Sequence, residues 1–477
     1  MTGATDKQVP LCVDMDETLL NTDTLVESAL QLLKANPLVI FSMFVWLLQG
    51  KAQLKQQIAR RKRLKPGLLP YNEPFIAWLR EEYSNGRELV LITAANEQVA
   101  RDIADHLGLF SLVLASDDND NLKAERKRQR LTQLYGAGGY DYAGNSADDL
   151  PAWRDSRHAV LVNTTTRVAA RARQQATVSR TFPRAKKQLP TLLKAMRPHQ
   201  WSKNVLIFVS LLVSHSYSDD ALLTATALAF VAFCLCSSAV YLINDLLDLE
   251  ADRRHDIKRK RPFASGALSL HLGVAAIPVL LAVSAAITAT LPTLFGTFLS
   301  IYFVLTLLYS LYLKRIPLLD VITLSGLYTL RLLAGAAVAV AAPSVWLVSF
   351  SLFLFTSLAI AKRYAEIKAM VDAGDHWVGG RGYHVSDLNI LGQLGAASGF
   401  ISTLVLALYI DSGEVMALYT APYLLWLLCP LLMYWIGRLW LVASRGQLDQ
   451  DPVIYATRDH TSYIVAALGL FIMLAAL

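Results

Sequence analysis

Two sets of carboxylates in this 477-residue chain stand at spacings that do chemistry. The first is Asp14-x-Asp16-x-Thr18, directly after the apolar run "VPLCV". A strand that ends in two carboxylates two residues apart aims both the same way. That suits a nucleophile and a general acid over one phosphorus, with Mg2+ between phosphate and carboxylate. The second set is Asn244-Asp245-x-x-Asp248-x-x-x-Asp252, which closes the apolar run "ALAFVAFCLCSSAVYLI". If that run continues as a helix, Asp245, Asp248 and Asp252 share one face, within an arc of about 60°. Three carboxylates so close repel one another and shift upward in pKa unless a cation sits among them. Such oxygen ligands suit Mg2+, which bridges carboxylates to substrate phosphates. The run "RRHDIKRKR" follows, and Arg261, ahead of Pro262, can meet the remaining phosphate charge. The combination reads as a diphosphate site. Charge alone also allows a plainer reading, in which the acids pair with the basic run and the basic run anchors on anionic lipid.

The elements around the first set are strands alternating with helices. A second strand, "RELVLITAAN", carries Thr93, placed to donate a hydrogen bond to phosphate. Lys123 and Lys127 open a helix after "LVLASDDNDN", and a fourth strand leads into "YAGNSADDLPAW", a turn with Asp148 and Asp149. Alternation of this kind implies a parallel sheet with its active groups at the carboxyl ends of the strands. Between the first two strands lies "ANPLVIFSMFVWLLQGKAQLKQQIARRKRLK". Its apolar centre is too short to span a bilayer. It is either a buried helix of a cap over the site or an interfacial helix that docks the cap on a membrane.

The second set sits in different surroundings. The chain is 54% hydrophobic with a mean hydropathy of +0.37, too apolar for a soluble protein and too charged for one wholly in the membrane. Composition changes near residue 200, after which apolar runs of about 17–25 residues recur. They give nine expected spans, at about 203–218, 221–243, 271–290, 293–312, 318–340, 344–362, 391–411, 417–437 and 461–477. Lys and Arg fill the loops after the second, fourth, sixth and eighth spans and are absent from "SHSYSDD", "TATLP", "VAAP" and "DSGEVM". Positive charge marks the cytoplasmic side, so the N-terminal domain and the charged loops are expected there, in a multi-pass protein of a bacterial inner or plasma membrane. No secretory leader pattern opens the chain. Cys12, Cys234, Cys236 and Cys429 lie in apolar contexts without metal-ligand spacing and read as buried free thiols. The net charge of +7 comes from runs that flank membrane segments without interleaved aromatics, which disfavours nucleic acid as a partner.

Asn244-Asp-x-x-Asp-x-x-x-Asp at the end of a second span resembles the first signature of the UbiA superfamily of intramembrane prenyltransferases. That resemblance implies nine helices and a diphosphate bound through Mg2+. The stretches "AMRPHQWSKN", "SSAVYLINDLLDLEADRRHDIKRKRPFASG", "AKRYAEI" and "DPVIYATRDHTS" resemble, in order, the branch that transfers 5-phosphoribose from phosphoribosyl diphosphate to a polyprenyl phosphate. The second Asp-rich motif of the prenyltransferases is missing, and Lys362, Arg363 and Glu366 stand in its place. A donor with a diphosphate and a 5-phosphate, meeting an acceptor that is itself a phosphate, needs more cations, so the exchange is sensible. On this reading Asp245, Asp248 and Asp252 hold metal. Asn244 flanks them on the substrate side, Lys203, Arg261, Lys362 and Arg363 contact phosphate, and Glu366 binds ribose hydroxyls. Arg331 lies within the fifth span, as a phosphate ligand or in a structural salt bridge, and Arg458 pairs with Asp459.

Residues 8–165 resemble the haloacid dehalogenase (HAD) superfamily of aspartyl phosphatases, whose four motifs occur in order. The resemblance makes Asp14 the nucleophile and Asp16 the general acid. Thr93 is the second motif, Lys127 or Lys123 the third, and Asp149 joins Asp14 and Asp16 at the Mg2+. Asn145 stands where the family has an Asp, and Ala124 where it often has glycine.

The expected architecture is therefore an α/β HAD-like domain over 1–165, with a parallel sheet and a helical cap over about 20–85. A basic linker over 166–193 and an all-α UbiA-type membrane domain over 194–477 complete it. The function expected is phosphoribosyl transfer to a polyprenyl phosphate, with the HAD-like domain acting on the product or standing as a degenerate relative. The competing enzyme reading is transfer of a prenyl group from a prenyl diphosphate to an aromatic acceptor. A non-enzymatic scaffold or transporter is disfavoured, because the acids close a span at its cytoplasmic end rather than at mid-membrane.

Overall fold

A computed structural model describes residues 9–116, 122–184, 187–216, 218–339, 344–372, 382–448 and 452–477. The chain divides into two compact units, one of residues 1–197 and 241–278, the other of 198–240 and 279–477.

The first unit is built on a six-stranded sheet of β1 (Leu11–Val13), β2 (Leu89–Asn96), β3 (Leu112–Ser116), β4 (Asp141–Gly144), β5 (Ala159–Val162) and β6 (Val178–Phe182). The strand order is β3-β2-β1-β4-β5-β6 and every pairing is parallel. Parallel strands are covered on both faces, so β1 and β2 read as nearly continuous apolar runs. Alternation sorts their side chains. Leu11, Val13, Leu89 and Leu91 face one core, with Phe75, Ile76 and Ile103. Cys12, Val90 and Ile92 face the other, with Leu131, Tyr142 and Trp153.

Between β1 and β2 come α1 (Thr24–Ala35), α2 (Val39–Leu48), α3 (Lys51–Arg61) and α4 (Glu73–Ser84). The first three form the cap, and α4 instead supplies Phe75, Ile76 and Leu79 to the sheet core. Two strand-like crossings carry the chain into and out of the cap: Asn21 N–H donates to Pro70 O at 2.7 Å and Asn72 N–H to Leu19 O at 3.0 Å. α5 (Glu97–Leu107), α6 (Glu125–Tyr135), α7 (Leu150–Arg154) and α8 (Thr166–Gln175) complete the crossovers, and α9 (Gln188–Ala195) follows the sheet. Residues 166–193, expected to be a linker, thus hold α8, the sixth strand and most of α9. Their basic composition reflects an exposed edge, where β6 buries none of its five residues.

The membrane part contains α10 (Val209–Val213), α11 (Asp220–Leu247), α12 (Leu249–Arg253), α13 (Leu270–Thr288), α14 (Thr293–Leu311), α15 (Leu319–Val338) and α16 (Val345–Asp372). After them come α17 (Leu388–Ile410), α18 (Gly413–Leu418), α19 (Leu428–Ser444), α20 (Pro452–Ala456) and α21 (His460–Ala476). Among the described residues seven helices are long and apolar enough to cross a membrane, where nine were expected. α21, also apolar, has 17 residues and falls just under the length of the seven. The other missing span, 203–218, is a series of tight 3-10 turns over Pro198–Phe208 followed by the five-residue α10. Polar contacts explain this. Asn204 bonds Cys234, Ser237 and Arg331, and the Ser210 hydroxyl donates to Leu332 O. Ile207 O lies so close to Gly335 that a Cβ there would meet it at 2.1 Å. The segment packs on the backbone of α15, and hydropathy does not register that.

Candidate active sites

Asp14 follows β1 at the centre of the sheet, where strand order reverses and ligands of open α/β sheets bind. Its Oδ1 accepts from Met15 N–H at 2.9 Å and from Lys127 Nζ at 2.7 Å. The chain then makes a tight turn over Met15–Leu19, in which Glu17 takes a positive φ of 54°. Asp16 sits in this turn rather than in the strand, with Oδ1 accepting from Thr24 N–H at 2.8 Å. Asp14, Asp16, Thr93, Lys127 and Asp149 all line one cavity of about 520 Å3, roofed by Leu25, Leu47, Leu54 and Ile58 of the cap.

The cavity sorts its charges. Lys127 is buried, and its ammonium reaches Asp14, the Tyr142 hydroxyl at 3.1 Å and Asp149 at 3.4 Å. Burial alone lowers its pKa, but the two carboxylates more than reverse this, so it stays charged. Lys123 instead pairs with Asp148 at 3.0 Å, half-exposed. Asp149 is wholly buried. Its Oδ2 accepts from Asn145 N–H, Ser146 N–H and the Ser146 hydroxyl, its Oδ1 from Tyr142 and Lys127. Burial raises Asp149, but Lys127, Tyr142 and the backbone donors outweigh it and hold the carboxyl below its ordinary range. Gly144 is required there, because a Cβ would stand 2.6 Å from the Asp149 carboxyl carbon. Enclosure pushes Asp16 up to about 8, helped by the charge of Asp23, so Asp16 keeps a proton at neutral pH. Burial also raises Asp14, against the pull of Lys127.

The acids near the end of α11 form a second cluster. α11 stops at Leu247 and α12 restarts after Asp248, yet Asp248 N–H still donates to Asn244 O and Asp252 N–H to Asp248 O. Asp245 and Asp252 therefore remain on one face. Arg261 Nη1 joins them, at 3.2 Å from Asp245 and 2.7 Å from Asp252. Arg197 adds a second cation to Asp245 at 2.6 Å. Asp248 turns elsewhere and pairs with Lys34 of α1 at 2.6 Å. Burial raises the pKa of Asp252, and Arg261 offsets part of the rise. Asn244 Oδ1 is shut from solvent without a hydrogen-bond partner.

In the other unit Arg363 is buried on α16. It binds Asp320 of α15 through Nε, Glu366 at 2.6 Å through Nη1 and the Tyr309 hydroxyl at 3.0 Å through Nη2. The second oxygen of Asp320 accepts from the Tyr383 hydroxyl. Lys362, one position away, is half-buried. The Lys203 ammonium lies 5.8 Å from the centroid of the Tyr328 ring. Arg331 has neutral partners: Asn204 at 2.8 Å, Leu327 O at 2.6 Å, the Tyr302 hydroxyl at 3.1 Å, and the faces of Phe233, Tyr302 and Tyr328. Asp459 pairs bidentately with Arg438, not with Arg458, and caps α21.

A family model described as the UbiA prenyltransferase family matches residues 205–473. The chain belongs to that family. Uncharacterized protein y4nM of Sinorhizobium fredii is 37% identical over 465 residues, 97% of this chain and 90% of that protein. Nodulation protein NoeC of Azorhizobium caulinodans is 35% identical over 287 residues, 60% of this chain and 92% of that protein. Decaprenyl-phosphate phosphoribosyltransferase of Corynebacterium glutamicum is 36% identical over 180 residues, 37% of this chain and 54% of that protein. The protein is thus a UbiA-family integral membrane transferase, with a parallel-sheet α/β domain ahead of the membrane part.

For a UbiA-family member the donor set at the end of α11 suits Mg2+: Asp245 and Asp252 already share one cation, beside an orphaned Asn244 oxygen. Among the described residues, however, no three acidic, His or Cys side chains converge as a ready cation cage. Arg261 instead bridges Asp245 and Asp252, in the place a cation would take. In the cavity at the end of β1, Asp14 has an oxygen to offer, whereas both oxygens of Asp149 are committed to the turn, Tyr142 and Lys127. Sequence reasoning missed Asp320, Glu17, Lys55 and His271. Asp320 left a signal, an acid in the first turn of a span. His271 and Lys55 line the cavity from segments remote from its motifs, and no local spacing marks them.

Proposed function

We propose that this UbiA-family transferase moves 5-phosphoribose from phosphoribosyl diphosphate to a polyprenyl phosphate, and that its HAD-like domain removes the 5-phosphate from the lipid product. The observation that carries the first half is the pair of carboxylates, Asp245 and Asp252, gripping one guanidinium beside an unpartnered Asn244 oxygen. The choice of donor draws support from the likeness to a decaprenyl-phosphate phosphoribosyltransferase and from Lys362-Arg363 in place of an acidic motif.

In the transfer, the bond from the anomeric carbon to the diphosphate breaks as an ionised oxygen of the lipid phosphate attacks that carbon. The acceptor is already an anion, so no general base is needed. Asp245, Asp252 and Asn244 would hold Mg2+, with Asp248 contributing once it leaves Lys34. The ion would neutralise charge on the leaving diphosphate. Arg261 and Arg197, released from the acids, would take phosphate oxygens. Lys203 and Lys362 bind phosphate groups of the substrates and Glu366 a ribose hydroxyl, with Arg363 orienting Glu366.

In the hydrolysis, Asp14 Oδ2 attacks phosphorus while Lys127 holds Oδ1, and Asp16 gives its proton to the departing ribose oxygen. Water then attacks the aspartyl phosphate, returns a proton to Asp16 and frees inorganic phosphate. The Lys and Arg of the loops support a cytoplasmic position for both sites.

Purified protein incubated with labelled phosphoribosyl diphosphate and a polyprenyl phosphate, with and without Mg2+, tests the first step. Label should enter the lipid only with the ion. Mass spectrometry tests the second: wild type should give a lipid-linked ribose, and Asp14→Asn the same lipid still carrying the 5-phosphate. The family's description as prenyltransferases supports one other reading, a prenyl diphosphate donor, here taken with an aromatic acceptor. Turnover of that pair, with none of phosphoribosyl diphosphate, reverses the choice.

A further inference from the structure

We propose that α2 is an interfacial helix, lying in the lipid surface of the membrane that the same chain spans. Its sequence, VIFSMFVWLL, has one polar residue, yet none of its ten residues is buried. Phe41 is 70% exposed, Phe44 63% and Leu48 74%. Only Val39, Met43 and Trp46, spaced as one helical face, are partly covered. An apolar patch of this kind marks an interaction surface.

Three observations select lipid as the occupant. The first is position. Lys34, at the end of α1, pairs with Asp248, the residue directly after the spanning helix α11. Lys62 and Lys65, just after α3, pair with Glu250. Arg253 grips Glu27 of α1. The helices on either side of α2 are therefore tied to the end of a membrane span. α2 begins five residues after Lys34, within about 18 Å of chain reach. The second is length: ten residues rise about 15 Å, half of a bilayer core of about 30 Å, so the helix can lie in the surface but not cross. The third is charge. From Ser28 to Asn72 the chain has eight Lys and Arg and no Asp or Glu. Anionic headgroups answer that pattern. A second copy of the chain does not, since it would set the same cations face to face. Arg61 lies 4.5 Å over the Trp46 ring, a pair with one apolar and one charged side that fits a headgroup boundary.

Gly50, at a φ of 120°, turns the chain sharply between α2 and α3. Leu47 of α2 and Leu54 and Ile58 of α3 roof the phosphatase cavity. A helix seated in lipid thereby sets that roof at the surface from which a lipid-linked phosphate arrives.

The test uses the full chain in nanodiscs containing phosphatidylglycerol, with Cys429→Ser in the background because the other three cysteines are buried. Nitroxides are placed at Phe41→Cys, Phe44→Cys or Leu48→Cys, and at Arg80→Cys on α4 as the aqueous control. Oxygen should broaden the first three signals more than a nickel chelate does, with the order reversed at position 80. Greater access of nickel at all three positions would overturn the proposal, as would spin–spin broadening between copies, which assigns the patch to a dimer. A second measurement needs no substitution. A lipid with a photoreactive acyl chain should crosslink to the peptide containing residues 38–49 of the wild-type protein, and crosslinks confined to the spanning helices count against the assignment.

Discussion

Lys34 and Asp248, 214 positions apart in the chain, form an ion pair of 2.6 Å between the end of α1 and the acids that close α11. A lysine there competes with any cation that Asp248 would bind. Lys34→Met should therefore lower the half-saturating Mg2+ concentration of the transfer reaction. Both side chains are about a quarter to a third exposed, so the pair is worth about 0.2–1 kcal/mol, a factor of about 1.5–5. A magnesium titration of wild type and variant checks it, and an unchanged requirement removes Asp248 from the cation site.

Arg261 holds Asp245 and Asp252 together in place of a metal. Arg261→Gln should lower the thermal midpoint by the equivalent of up to about 3 kcal/mol. That is less than a fully buried pair would lose, because Arg261 keeps 29% of its side chain exposed. Added Mg2+ should restore much of the loss in the variant and do less for wild type. Thermal unfolding with and without the ion reads this independently of activity.

Asp16 must carry a proton to act as an acid, and its pKa of about 8 puts the basic limb of phosphate release near that pH. Asp16→Asn should reduce release about 10²–10⁴-fold and abolish that limb. Stability moves the other way. A carboxyl raised from 3.8 to about 8 favours the fold fully below pH 3.8 and loses that contribution as pH rises toward 8. The variant should therefore gain on wild type in thermal midpoint between pH 4 and pH 8. A constant difference across that range would show that Asp16 is not so perturbed.

Lys362 and Arg363 should separate. Lys362→Met should raise the Michaelis constant for phosphoribosyl diphosphate about ten- to a hundredfold, the worth of one charge-assisted phosphate contact, with folding intact. Arg363→Met should instead destabilise the protein by about 3–5 kcal/mol, because it removes the buried cation that Asp320 and Glu366 share. Parallel kinetics and thermal unfolding distinguish the two. Equal kinetic defects without a change in stability would return Arg363 to the substrate.

What the sequence revealed was local. The placement of Asp14 after β1 and of Asp149 in the turn after β4 was legible, because apolar runs followed by turn residues announce strand ends, whereas Thr93 lies within β2 and Lys127 in α6. Asp245 and Asp252 were legible because helical spacing survives the break at Asp248. Contacts across the chain were not. No spacing rule links Asp320 to Arg363, or His271 to Asp16, and only folding brings them together. The choice between Lys123 and Lys127 needed the third dimension as well, since both precede or open α6 and only Lys127 reaches Asp14. Ala124, at a φ of 46°, shows the same limit: a backbone angle that favours glycine is hidden in a single sequence.

The contact of Arg253 with Glu27 bears on how such a protein can be divided. Glu27 has no solvent exposure, and its cation comes from beyond the first long span, 226 positions later. A fragment ending at residue 197 would keep Asp14, Asp16, Thr93, Lys127 and Asp149 and lose the charge that makes Glu27 tolerable. The N-terminal domain is thus not an exchangeable cassette spliced before a membrane enzyme. Severing the gene between the two would cost the soluble half part of its own interior, which gives selection a reason, apart from any sharing of substrate, to keep them as one chain.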